Sequence, residues 1–356
     1  MDETKRFILS CFSHQRTVRS TTLYHFLSGK KTSSILTYGF LNGILPYFNL
    51  FPNLEQRKFE DNINFLLENN YLVQETIPLV TITEKGLVEC RDFNCKYLDG
   101  LSFYKIDYQF WIQLVLLTQV VSEKRYRNSK YIASDANMYH QHLLKQWISV
   151  QSNDWLDRFM SEWMELLTLL GKDESYLLSS QLVGHNTPGL TKKQVAEQLT
   201  QSEFEIEIRF KNALHQLIYL INMHSETFPV FFSLYSYELK CLGNDTVQET
   251  FHLYFQKGYD YDQIARQRHL KLSTIYDHLI ESIIQLNVSQ LKLIIERHQL
   301  TELLGRLSSK YPKIRAWTFK DCQLMKASLN YYEFRLMQFY LIKDDNDGED
   351  KTNISQ

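Results

Sequence analysis

Apolar positions along this chain recur mostly three and four residues apart, the spacing of one helical face, and only one short stretch alternates. Between Thr246 and Leu286 the pattern breaks at Gly258 and again near His269. This predicts one helix, a short second helix, a tight turn and a third helix. The second helix carries Ile264 and Ala265, the alanine being small enough for the third helix to cross close by. Ser273 or Thr274 can cap the third helix by accepting backbone N–H bonds. Ile275, Leu279 and Ile283 then face inward. His269 stands where such a turn commonly carries Gly; His tolerates the left-handed backbone better than most residues.

Residues 17–90 alternate helical periodicity with polar breaks. Val18, Leu23, Phe26 and Leu27 share one side of a helix that stops at Gly29. Phe59, Ile63, Leu66 and Leu67 mark the clearest helix, ending at Asn69-Asn70. Two short strands around Pro78 and a Thr83-Glu84-Lys85-Gly86 turn follow, so the segment has the anatomy of a winged helix. From Gln141 to Leu170 the chain is expected to be helical, with Trp147, Trp155, Phe159, Trp163 and Leu166 or Leu167 forming a buried stripe. Residues 190–221 predict a second pair of helices. Their Val195-Ala196-Glu197, Leu199, Ser202, Ile206 and Ala213-Leu214 resemble in spacing the DNA-reading helix-turn-helix of sigma factors. Glu203, Glu205 and Glu207 at the start of the would-be reading helix would be repelled by phosphate. The pair therefore reads as a helix-turn-helix without a DNA role or a plain helical hairpin, with protein docking as its functional reading.

At 356 residues the chain is long enough for two or three domains. No apolar run approaches the roughly 18 residues of a membrane span, and the N-terminus lacks an h-region, so a cytoplasmic, nucleoid-associated protein is expected. Cys11, Cys90, Cys95, Cys241 and Cys322 are odd in number and scattered, which argues against a disulfide framework or a zinc site. The net charge of −2 conceals segregation. Thr4–Leu54 holds six cations and no acid; Val288–Lys343 holds ten cations and four acids. Gln151–Thr250 holds fourteen acids and seven cations, and the segment from Asp344 adds five acids and one Lys. Basic ends around an acidic middle suit phosphate contact at the ends and protein contact at the centre.

Catalytic constellations are missing from the sequence: there is no Gly-x-Ser-x-Gly elbow, no Gly-x-Gly-x-x-Gly loop and no paired-His metal motif. The stretch LSGKKTSS ends like a phosphate-binding loop, but position 24 is Tyr where that loop needs its first Gly. No cofactor, no metal and no enzymatic activity are expected. Candidate DNA contacts are Arg266, Arg268 and Lys271 before the third helix, and Ser273, Thr274 and Tyr276 on it. Lys313 and Arg315 follow in the basic stretch, with Lys310 and Lys320 beside them. In the N-terminal domain Lys30 and Lys31 occupy a turn and Lys85 the wing. None of Ser273, Thr274 and Tyr276, the first to reach a groove, is an Arg or Asn placed to read a base edge in pairs, so contact governed by structure or charge is expected.

The wording KGYDYDQIARQRHLKLSTIYDHLIE, together with Tyr332, Glu333, Arg335 and Leu336, resembles the helicase-type helix-turn-helix domain that ends many RecQ-type helicases. The segment from HFLSGKKTSS through LVTITEKGL resembles the winged-helix domain that follows the motor in those helicases. The combination resembles the bacterial YpbB family of stand-alone proteins encoded beside a RecQ-type helicase. That resemblance implies a RecQ-type helicase as partner and a role in DNA repair and recombination. The acid-free segment Thr4–Leu54 adds an acidic-tailed single-strand-binding protein as a further possible partner.

The expected architecture is mainly α. It comprises a winged-helix-like domain (1–100), a helical middle with the sigma-like pair (101–240), a helicase-type helix-turn-helix domain (241–343) and a disordered acidic tail (344–356). The expected function is a non-catalytic accessory factor that binds helicase and DNA. The alternative is a helix-turn-helix transcription regulator, which requires a dimer and sequence-dependent affinity.

Overall fold

The computed structural model describes residues 1–12, 17–76, 79–91, 93, 95–243 and 246–353. Arg16, counted in the acid-free segment, and Pro78, expected between two strands, lie outside the described residues.

The chain is mainly helical. In order come α1 (Glu3–Ser10), β1 (Val18–Arg19), α2 (Ser20–Leu27), α3 (Ser33–Leu41) and α4 (Gln56–Glu68). Then follow β2 (Leu72–Thr76), β3 (Leu79–Ile82), α5 (Glu84–Glu89), α6 (Gly100–Phe103) and α7 (Asp107–Arg125). The middle holds α8 (Met138–Ser149), α9 (Trp155–Leu170), α10 (Lys172–Ser179), α11 (Lys192–Leu199), α12 (Glu203–Met223) and α13 (Pro229–Cys241). The last third holds α14 (Thr246–Phe255), α15 (Tyr261–Arg268), α16 (Leu272–Gln285), α17 (Val288–Arg297) and α18 (Thr301–Lys310). It ends with α19 (Phe319–Gln323) and α20 (Tyr331–Asn353), which reaches into the acidic tail; residues from Ile354 on are outside the described residues.

Contacts divide the chain into two units: Met1–Lys30 with Ile44–Gly243, and Lys31–Gly43 with Asn244–Gln356. The N-terminal segment and the helical middle thus share one unit, and α3 belongs with the C-terminal one, which the boundary expected near residue 100 did not foresee.

In the first unit the three strands pair antiparallel in the order β1-β3-β2, with Val18 opposite Val80 and Val73 opposite Thr81. After β3, Thr83 caps α5 by accepting from the Gly86 N–H at 3.0 Å. A Cβ at Gly86 would sit 2.3 Å from the Tyr71 carbonyl oxygen, so this position is closed to every other residue. Phe204 at the start of α12 stacks on Phe51 (5.0 Å) and meets Phe7 edge-on (5.4 Å), joining the N-terminal elements to the middle.

The middle helices pack around Phe110, Trp147, Phe159, Trp163, Leu166 and Phe231, so the Trp stripe is core. The helical stretch expected over Gln141–Leu170 is built of two helices, α8 and α9, separated by residues 150–154. Two buried polar devices order this core. The Glu162 carboxylate accepts from the Val230 and Phe231 N–H groups (3.1 Å each) at the N-terminus of α13, where Pro229 leaves no donor of its own. His215 accepts the Asp99 N–H at Nδ1 (3.0 Å) and faces Asp107 through Nε2 (3.3 Å), which ties the loop before α6 and the start of α7 to α12. The sigma-like pair is present as α11 and α12, with Val195, Ala196, Ile206, Ala213 and Leu214 buried. Its carboxylates serve the fold: Glu205 closes the Ser202 capping box and Glu207 pairs with Lys192 at 2.6 Å.

Glu238 on α13 is 3 % exposed, and its Oε1 has no hydrogen-bond partner. Burial alone pushes its carboxyl up to about 7 from 4.5. Folding therefore favours the protonated form; that stability is intact below about pH 4.5 and is lost as pH rises through about 7. Glu238→Gln is expected to remove this slope, gaining up to about 3 kcal/mol over the parent at pH 8 and little at pH 4. Thermal unfolding of both proteins across that pH range reads the difference.

Candidate nucleic-acid interface

The C-terminal unit begins with α14, which a Gly258 turn in the left-handed region (φ +72°) connects to α15. Asp260 and Gln263 form a reciprocal capping box at the start of α15, satisfying two of its free N–H groups. Helix α15 ends at His269, whose backbone is left-handed (φ 53°, ψ 39°), as the turn demands of a position usually given to Gly. Three residues then separate α15 from α16. Ile264, Ile275, Leu279 and Ile283 are fully buried, as the four-residue spacing predicts. The capping expectation needs correction: the N-cap of α16 is Lys271, two residues before Ser273 and three before Thr274, and no side chain caps it. Ser273 and Thr274 therefore lie inside the first turn, next to N–H groups that carry the positive end of the helix dipole.

A cluster of rings holds these helices together. The His298 Nε2 meets the hydroxyls of Tyr254 and Tyr261, and its Nδ1 pairs with Glu333 on α20 at 3.3 Å. Tyr261 in turn meets Tyr276 on α16 edge-on at 5.2 Å, and the wholly buried Tyr332 closes the cluster against Tyr254 and Tyr261. Burial raises the Glu333 carboxyl, but the bonds from His298 and the Asn330 N–H outweigh it and leave the group below its ordinary value. Lys343 on α20 donates to the Ile284 and Leu286 carbonyls (2.8 and 2.6 Å), satisfying the C-terminus of α16.

The outer face of α16 is not open along its length. Helix α3 lies on it: Ser33 donates to Asp277, and Lys31 pairs with Glu281 at 2.9 Å. Phe40 packs against Phe339 of α20 with centroids 4.3 Å apart, and Arg315 donates to the Leu41 carbonyl at the end of α3. The first turn of α16 and the preceding bend stay open, and Asp277 remains exposed beside α3.

The candidate contacts separate accordingly. Arg266, Lys271 and Ser273 are exposed around the bend, with Thr274 half-buried beside them. Lys313 is exposed, as are Lys310 and Lys320. Arg268 is elsewhere: its guanidinium donates to the Thr246 carbonyl, both threonine hydroxyls of α14 and Glu249 (2.8 Å), and its side chain is 8 % exposed. Lys31, Arg315 and Tyr276 are likewise engaged within the unit. In the other unit Lys30 is exposed. Lys85 sits in the first turn of α5 rather than on a wing, donating to the Asn69 carbonyl at 2.8 Å and lying over the Tyr71 ring. The cover over α16 escaped sequence reasoning because Ser33 and Asp277 stand 244 residues apart. Among the described residues, no group of three His, Cys, Asp or Glu is placed to hold a metal, and no helix is long and apolar enough to cross a membrane.

Fold and site define a helix-turn-helix protein: the model of a helix-turn-helix domain matches residues 246–338. The chain is similar to Protein YpbB of Bacillus subtilis (strain 168), 23% identical over 284 residues that cover 77% of this chain and 80% of that protein. No solved structure matches.

Arg268→Ala is expected to loosen one tie between α14 and α15 and to lower stability by about 1–3 kcal/mol, since the buried Thr250 hydroxyl loses a charged donor. Arg266→Ala, at an exposed position, should stay within about 0.5 kcal/mol of the parent. Urea unfolding of the two variants separates a structural arginine from a surface one.

Proposed function

We propose that this chain is a non-catalytic factor that binds DNA by charge and shape and works beside a RecQ-type helicase in DNA repair or recombination. The observation that carries the DNA part is the geometry of α16. Its first turn is open and flanked by Arg266 and Lys271, while farther along the exposed Asp277 accepts from Ser33 of α3 and Glu281 is paired with Lys31 just before α3. A helix that reads sequence in the major groove presents several side chains along its length to base edges. Here the open cations flank the first turn, with Ser273 and Thr274 at its tip, and the next turn presents the acid Asp277, bonded to α3. The contact is therefore with phosphates and the groove rim, supplemented by exposed Lys310, Lys313 and Lys320.

The helicase partner rests on the resemblance of both ends of the chain to the domains that flank a RecQ-type motor, and on the similarity to YpbB over most of both chains. The order β1, α2, α4, β2, β3 with a β1-β3-β2 sheet supports a winged-helix-like reading of the N-terminal elements. Without a phosphate-binding loop of its own, the chain would act on the motor in trans. Acids on the middle helices, such as the exposed Glu197 and Glu203, offer the docking face. A single-strand-binding protein is a secondary partner, and the cytoplasmic nucleoid the expected place. A transcription regulator would need the outer face of α16 that α3 occupies.

The test is a pull-down of the purified chain with its host's RecQ-type helicase, with and without nuclease, over a salt series. Co-purification that survives nuclease supports the accessory role; no association removes the helicase from the reading. In a parallel duplex titration, Arg266→Ala with Lys271→Ala is expected to weaken affinity about tenfold irrespective of sequence and to reduce the salt slope by about two. A strong preference for one duplex sequence would favour the regulator instead.

A further inference from the structure

The segment that joins α7 to α8 lies in the first unit and takes no part in the interface described above. From Lys124 to Ser134 it reads KRYRNSKYIAS, four cations with two tyrosines among them and no acid. Arg127, Lys130, Tyr126 and Tyr131 are exposed, as is Ile132. A mobile surface loop of this composition would mean little. This one is built from beneath by two buried polar side chains of α7. Gln119 donates to the Ile132 carbonyl at 2.9 Å and accepts the Ser134 N–H at 2.7 Å. Glu123 accepts from the Asn128 side chain at 2.7 Å and pairs with His185 Nδ1 at 2.8 Å. The His185 ring supports Tyr126, stacked at 4.4 Å and 21°, so one face of that tyrosine is packed while the ring remains 67 % exposed.

The backbone adds a second sign. Arg127 holds a left-handed conformation (φ 55°) in the turn that ends α7, a place where Gly would be free of strain. The chain instead keeps a long cation there, between the two tyrosines, with Lys130 three residues on. Strain retained at an exposed cation points to use rather than packing.

We infer that the Lys124–Ile132 loop is a second nucleic-acid site, which takes single-stranded DNA. Arg127 and Lys130 track the backbone phosphates, Arg125 being paired with Asp157 at 2.5 Å, and the open faces of Tyr126 and Tyr131 receive unstacked bases. Single strands fit where a duplex does not, because paired bases offer no free face to a tyrosine, and the loop has no helix to lay in a groove. The site is separate from the helix-turn-helix, so either can fail without the other.

The experiment is fluorescence anisotropy of the full chain with a labelled oligo-dT of about 20 nucleotides over a salt series. Arg127→Ala with Lys130→Ala is expected to weaken binding about tenfold and to lower the salt slope by about one to two, close to one phosphate per cation. Tyr131→Ala should weaken it about fivefold or more at every salt concentration, and Tyr131→Phe should restore it, since stacking needs the ring and not the hydroxyl. Far-UV circular dichroism confirms that each variant is folded. The variant Arg266→Ala with Lys271→Ala, which reports on the other site, should keep most of the oligo-dT affinity. Absent oligo-dT binding by the parent, or affinity within about twofold in both loop variants, overturns the inference. Tighter binding of oligo-rU overturns the choice of DNA, and an acidic peptide that binds the loop while oligo-dT does not would make it a protein-docking site.

Discussion

The His298 ring is the point on which the C-terminal unit hangs. It joins five helices through one small group: Tyr254 on α14, Tyr261 on α15, Glu333 on α20, its own place beyond α17, and Tyr276 on α16 through Tyr261. Each partner is buried or half-buried, so a missing member would leave polar atoms with no water to turn to. The short helix α15, eight residues long, could not hold a fixed angle to α16 by itself. The cluster and Arg268 supply that angle from two sides, and the exposed first turn of α16 is positioned as a result.

Helix α12 has a comparable role in the first unit. Its N-terminal Phe204 takes Phe7 and Phe51, its middle holds the pre-α6 loop through Asn212 and His215, and its buried face fills the core. The pair α11–α12 repeats the local geometry of α15–α16: an eight-residue helix, a left-handed residue (Thr200 or His269), and a long helix three residues later. The two pairs differ in what surrounds them. At the start of α12 Glu205 is taken up by its own cap and Arg91, and Glu207 by Lys192, leaving Glu203 exposed, whereas the start of α16 is flanked by open cations. The same local motif is therefore core architecture in one unit and a candidate contact surface in the other.

Much of the fold was legible because its signals are local. The break at Gly258, the left-handed His269, the inward Ile275, Leu279 and Ile283, and the buried Trp stripe all follow from spacing and from the backbone freedom of single residues. Where reading failed, the deciding group was close in sequence but its geometry was not: Ser273 and Thr274 are good capping residues, yet the helix starts at Leu272 and leaves them inside it. A similar shift moves Lys85 from a wing to a helix N-terminus.

Sequence by itself determined the helix-turn-helix, the largely helical class and the list of available cations, since each depends on periodicity, caps and charge within a few residues. Only the tertiary structure decided which cations remain available. Arg268, Lys31 and Arg315 look no different in sequence from Arg266, Lys30 and Lys313, but they are bound to Glu249, Glu281 and the Leu41 carbonyl. The same holds for α3, whose place on α16 is set by contacts across more than two hundred residues of chain, and for the α7–α8 loop, whose shape depends on Gln119 and Glu123 beneath it. A charged side chain can serve a partner only if the fold has not already satisfied it, and satisfaction is a matter of distance in space, which no local pattern records.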